Sequence, residues 1–266
     1  MLARASLVSL VLIAAAPAFA QAPDTVLLEE LTWTELRDAI GAGTTTILVP
    51  VGGTEQNGPH MALGKHNVRV RVLAERIARA LGHTLVAPVI AYVPEGRISP
   101  PTGHLRFPGT ISVPEDTFER VLEAAARSFR QHGFRDVVFV GDHGSTQAGQ
   151  RAVAARLNRE WAGGPTRIHA IEEYYRASQV EFARALRAKG YSEAEIGTHA
   201  GLADTALMLA LDARLVRADR LRPGTGAAGD GVEGDPTRAT AELGRAGADL
   251  VVTKTVEAVK RALARR

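Results

Sequence analysis

The stretch Val49-Pro50-Val51-Gly52-Gly53-Thr54-Glu55-Gln56-Asn57-Gly58-Pro59-His60-Met61-Ala62-Leu63-Gly64-Lys65-His66-Asn67 decides the fold. An apolar, β-branched run stops at two glycines, and Glu55, Asn57, His60 and His66 then fall within twelve positions. A strand that empties into a loop of potential ligands is how α/β enzymes build sites at the carboxyl ends of their strands.

Working outward, the pattern alternates. Helical spacing covers 31–41, 67–81, 114–132, 147–161, 178–189, 203–215 and 237–265, the last with an expected break near Gly244. Apolar strands are expected over 45–51, 84–90, 136–140 and 167–171, short and unbroken as strands are when both faces are covered. This predicts a three-layer α/β/α sandwich with a mostly parallel sheet, in a single domain over 21–266. Residues 94–113 and 222–236 are long, Gly/Pro-rich connections and are expected to be site loops.

The first 20 residues differ from the rest. Arg4 supplies a positive start, 7–17 an apolar run, and Ala18-Phe19-Ala20 a small-residue cleavage site. That is the pattern of a secretory signal peptide, and it is shorter than a membrane span of roughly 20 apolar residues. Cleavage after Ala20 and a periplasmic or secreted location are expected. Cleavage would take the net charge from +3 to +2 through loss of Arg4. An exported chain with no cysteine must be held by its core without disulfides. Both signs of charge are interspersed, without a basic run carrying aromatics, so neither a nucleic-acid nor a membrane partner is expected.

Five patches, in order, resemble the creatininase family of metal-dependent amidohydrolases. The first is the stretch quoted above, similar to G-x-T-E-x-H-G-x-H-L-P-L-x-x-D. His104-Leu105-Arg106-Phe107-Pro108-Gly109-Thr110-Ile111-Ser112 follows, then Val140-Gly141-Asp142-His143-Gly144-Ser145-Thr146. His199-Ala200-Gly201-Leu202-Ala203-Asp204-Thr205 is similar to H-A-G-x-x-E-T, and Gly231-Val232-Glu233-Gly234-Asp235-Pro236 to a loop near the site. The resemblance covers about 31–244. It implies a first divalent ion on Glu55, His66 and His143, and a second on Asn57, His66 and Asp204. Two positions depart from the pattern: Asn57 replaces a histidine and His66 replaces the bridging aspartate.

The first set matches the His₂Glu ligands of catalytic zinc. The second is poor, because an imidazole has one lone pair for a metal and cannot bridge as a carboxylate does. One tightly held ion is therefore expected, zinc first, with manganese or iron as alternatives. His199 is expected as the catalytic proton carrier and Asp204 as a ligand or base. His60 and Asp142 are expected behind the ligands, with Asp142 capping its loop or orienting His143. His83, His132 and His169 lack acidic company and carry no expected role. Ser145 lacks a nucleophile elbow. The G-x-G-x-x-G at 224–229 follows no strand and opens no helix, so no dinucleotide site is expected.

The expected function is hydrolysis of a non-peptide C–N bond in a small or cyclic amide. A non-catalytic metal- or ligand-binding protein on the same scaffold, or a lactone hydrolase, are the alternatives. The resemblance also implies a homo-oligomer, often a hexamer.

Overall fold

A computed structural model describes residues 23–265; the expected signal peptide lies outside the described residues. Four parallel strands form the sheet: β1 (Thr46–Val51), β2 (Thr84–Val86), β3 (Asp136–Gly141) and β4 (Arg167–Ala170), in the order β2-β1-β3-β4. Successive strand residues point to opposite faces, and the packing follows. Leu48, Val138 and Val140 join a core on one side, and Ile47, Val49, Val51, Val137 and Phe139 join one on the other.

The first core is closed by α2 (Lys65–Leu81), α8 (Leu202–Asp212) and α9 (Ala241–Leu263), and the second by α3 (Glu115–Gln131) and α4 (Gln147–Glu160). The short α1 (Trp33–Gly41) leans on the second core through Leu36 and Ile40. Helices on both faces of a parallel sheet make the expected three layers. Among the described residues no helix is long and apolar enough to cross a membrane.

The boundaries differ from the sequence expectation in three places. β2 stops at Val86, because Pro88 follows and cannot donate to the ladder. The helix expected over 178–189 begins earlier. It runs from α5 (Glu173–Arg176) through a π-helical turn (Ala177–Glu181) into α6 (Phe182–Ala188) and is followed by α7 (Glu193–Ile196). π-Turns inside helices often sit at functional sites, and Gln179 of this one lines the cavity described below. Last, α9 continues unbroken through Gly244, which is buried against the Ala206 carbonyl of α8.

β1 leads to β2 on one side, whereas β3 lies on its other side. The carboxyl ends of β1 and β3 thus border the point where the strand order reverses, where open α/β sheets place their ligands.

Candidate metal centre

β1 ends in Gly52-Gly53, and both glycines are required there. A Cβ on Gly53 would lie 2.6 Å from Glu95 Oε1, and one on Gly52 would overlap Asn67 Oδ1. That close approach lets the first turn of α2 dock on the strand end: Asn67 accepts the Gly53 N–H at 3.0 Å and donates to Thr54 Oγ1 at 3.0 Å. Glu55 is thereby fixed with 0% exposure behind His66, His104, His143 and His199, which line a cavity of about 220 Å³.

Four histidines from four segments converge on its two oxygens. Oε1 lies 2.7 Å from His66 Nε2 and 3.7 Å from His199 Nδ1. Oε2 lies 3.1 Å from His143 Nε2 and 3.2 Å from His104 Nε2. His66 comes from the start of α2, His143 follows β3, His104 sits in a 3₁₀ turn (Gly103–Arg106), and His199 precedes α8.

The outer ring nitrogens settle the tautomers. His66 Nδ1–H donates to Asp142 Oδ2 at 2.6 Å. Ser145 Oγ gives its own hydrogen to the Pro94 carbonyl, so its short contact with His143 Nδ1, 2.7 Å, is an Nδ1–H donation, stronger than the longer approach of the Ser145 N–H to the same nitrogen at 3.3 Å. His199 Nε2–H donates to the Gln56 carbonyl at 2.9 Å. Each of these three imidazoles therefore leaves its other nitrogen facing Glu55, where it can offer a lone pair to a bound ion or, without one, share a proton with the carboxylate. A ligating histidine that donates its other N–H to a carboxylate, hydroxyl or carbonyl is the arrangement metal sites use to fix ring orientation.

His104 is wired the other way. Gln56 Oε1 accepts the Gly58 N–H, so its amide nitrogen donates to the Gly231 carbonyl and to His104 Nδ1 at 2.9 Å. The proton of His104 then lies on Nε2 and points at Glu55. Two triads have ligand atoms within 4.8 Å of one another, Glu55–His66–His143 and Glu55–His104–His199. The first presents the carboxylate and two imidazole nitrogens free of other donors, and the second the same carboxylate with only one, that of His199.

Glu95, 4% exposed, brings Oε2 to 3.2 Å from His143 Nε2, yet neither of its oxygens has a hydrogen-bond partner among the described residues. Buried polar atoms without partners are rare in native structures. Here they border the His143 imidazole and a second carboxylate, Glu55, an arrangement that a cation satisfies. Burial, then the charge of Glu55, pushes Glu95 up to about 9. Burial also works against ionising Glu55, but His66, His143 and Lys65 outweigh it and hold Glu55 well below the usual carboxylate range. Burial, reinforced by the Lys65 charge, pushes His199 down to about 3, so its imidazole is neutral at pH 7. The residues present therefore fit one divalent ion on Glu55, His66 and His143.

The remaining expected residues fall elsewhere. Asn57 donates to the Glu55 and Ala62 carbonyls at 2.9 and 3.2 Å, leaving its buried Oδ1 without a partner. Asp204, expected as a ligand or base, is tied to Lys65 at 3.1 Å, Arg69 at 2.6 Å and the Ala200 N–H at 3.0 Å. Those two cations outweigh its burial and hold it well below the usual aspartate range. His60 donates to Thr205 Oγ1 at 3.0 Å, beside Asp204 rather than at Glu55. Asp142, expected to cap its loop or orient His143, instead orients His66 and also binds Arg69 and the Tyr174 hydroxyl. In the G-x-G-x-x-G stretch, residues 227–229 belong to a turn.

Sequence reasoning did not single out His104, Glu95, Lys65 or Arg69. His104 heads one of the five patches and Glu95 opens a loop expected near the site, which were the available signals.

The creatinine amidohydrolase family matches residues 29–259. The creatinine amidohydrolase of Pseudomonas putida is 29% identical over 204 residues, covering 74% of this chain and 76% of that protein. A mycofactocin precursor peptide peptidase of Mycolicibacterium smegmatis is 33% identical over 135 residues, 45% of this chain and 52% of the other. Among solved structures, a mutant creatininase of Zn-Zn type is similar at 25% identity and a TM-score of 0.73, over 90% of this chain and 99% of that one. Members of this family are hydrolases that use divalent metal. With the family match spanning most of the chain and the fold shared, the chain belongs to the creatininase family.

Proposed function

We propose that this chain is a metal-dependent hydrolase of a non-peptide C–N bond in a small or cyclic amide. The observation that carries the reading is the Glu55–His66–His143 triad, with the outer N–H of each imidazole already engaged. A divalent ion bound there, zinc in first place, polarises a carbonyl and lowers the pKa of water toward ~7.

The side chains do the rest. Neutral His199 turns its Nδ1 lone pair into the cavity and can take a proton from the attacking water. It can then pass that proton to the leaving nitrogen, work typically worth 10²–10⁴-fold in rate. His104 turns its Nε2–H onto Glu55 Oε2 at 3.2 Å and so steadies the carboxylate that holds the ion. The cavity, about 220 Å³ and lined by Tyr175, Gln179, Thr198 and Glu233, is smaller than the ~300–1,000 Å³ typical of drug-sized pockets. That size supports a compact polar substrate over a long peptide.

The test is a screen of zinc- and manganese-reconstituted protein against amides, lactams, lactones and short peptides. Cleavage of a small amide or lactam, lost on chelation, is expected. Cleavage of peptides alone would move the chain to the peptidase reading, and metal uptake with no turnover on the panel would favour the non-catalytic one. The signal-like first 20 residues support export, and the family resemblance supports a homo-oligomer, for which light scattering of the mature chain is the measurement.

A further inference from the structure

The residues that the resemblance assigns to a second ion are Asn57, His66 and Asp204, and in this chain two protein cations already stand against them. Lys65, the first residue of α2, has 0% exposure, and its Nζ lies 3.1 Å from Asp204 Oδ2 and 3.8 Å from Glu55 Oε1. Arg69, one turn further along, puts Nη1 2.6 Å from Asp204 Oδ1 and Nε 2.8 Å from Asp142 Oδ2. Both oxygens of Asp204 are thus taken by protein cations.

His66 has one lone pair to offer, because its other nitrogen donates to Asp142. A second divalent ion would therefore have the lone Oδ1 of Asn57 as its free ligand and would sit beside an ammonium and a guanidinium. The fit that holds for the first ion fails for the second. Buried charges persist when paired and hydrogen-bonded, and Lys65 is paired with Asp204, with Glu55 close by.

We propose that the Lys65 ammonium, backed by Arg69, replaces the second metal ion of the family: the centre is one divalent ion plus one built-in lysine cation. The lysine balances Asp204 and holds Glu55 ionised for the first ion. It also repels a second dication. The inference rests on the metal-dependent reading above and concerns the other half of the cavity.

The test is zinc content per chain after equilibration with graded free zinc. The wild-type mature chain saturates at one ion. Lys65→Met, which keeps the length of the stem and removes the charge, takes up a second and weaker ion on Asp204 and Asn57. Lys65→Arg stays at one. Lys65→Gln, which keeps a hydrogen-bond donor for Asp204, replaces the methionine variant if circular dichroism shows that one unfolded. Two tightly held ions in wild type overturn the proposal, as does saturation at one ion in the folded neutral variant. If wild type binds no zinc, and His143→Ala changes nothing in the titration, the metal-dependent reading itself falls, a result distinct from the other two.

Discussion

His66 and Asp142 share a hydrogen bond of 2.6 Å that fixes which imidazole nitrogen faces Glu55. Asp142 is fully buried and also binds Arg69 and Tyr174, so it orients one ligand while neutralising a guanidinium. Asp142→Asn keeps the shape and removes the charge. Zinc affinity should fall by roughly the 10–100-fold that follows loss of an outer partner to a ligating histidine. Stability should fall as well, since Arg69 keeps only Asp204 as a carboxylate partner. Competition with a chelator measures the first effect, and unchanged affinity would break the proposed link between Asp142 and the ion.

His143 and His199 face the same carboxylate but are assigned different work. His143→Ala removes a ligand and should lose metal and turnover together, because a bound ion needs its full set. His199→Ala should retain the ion and lose roughly 10²–10⁴-fold in turnover, the usual contribution of a positioned proton carrier. Elemental analysis beside kinetics separates the two. Equal metal loss in both variants would make His199 a ligand.

The layers were readable from the chain because a buried parallel strand and an amphipathic helix have different periods, and both were clean at 46–51, 115–131 and 136–141. Glu55, His66 and His143 were readable because they follow strand ends or open a helix. The charge network was not. Lys65 and Arg69 sit at i and i+4 on α2, where charged residues usually face solvent, and only the packing of α8 against α2 shows that they turn inward toward Asp204. Glu95 was hidden for the same reason, because its neighbours Glu55 and His143 are distant in sequence.

Glu95 gives a pH-dependent signature in the metal-free protein. Its folded carboxyl is raised from 4.5 to about 9 by burial and by Glu55. Between those values the folded state keeps a proton that the unfolded chain releases, so stability must fall as pH rises through this window. Glu95→Gln removes the titration. After chelation, the variant and wild type should unfold at similar temperatures near pH 4.5, with the variant ahead at pH 8. A gap that does not change with pH would show that Glu95 is ionised in the fold.

The N-terminus offers an independent check on processing. Arg4, the apolar run and Ala18-Phe19-Ala20 lead to the expectation that protein isolated from its native source begins at Gln21. N-terminal sequencing decides it, and an intact Met1 in a cytosolic fraction would sink export.

Gly244 separates sequence propensity from packing. In an isolated helix, replacing glycine by alanine gains about 1 kcal/mol, because glycine has more backbone freedom to lose. In this fold the position lies in the first turns of α9, and an added Cβ would run into the Ala206 carbonyl and crowd Ala210 Cβ at 2.8 Å. The two helices would have to part along the face that also buries Leu207, Ala248 and Val251. Overpacking of this kind costs typically ~1–3 kcal/mol, which outweighs the propensity gain. Gly244→Ala should therefore lower the thermal unfolding temperature despite its better helix former. The strain also reaches the site, since α8 carries Asp204 two residues before Ala206. A stabilised Gly244→Ala variant would mean that α8 and α9 do not approach as closely as the structure places them.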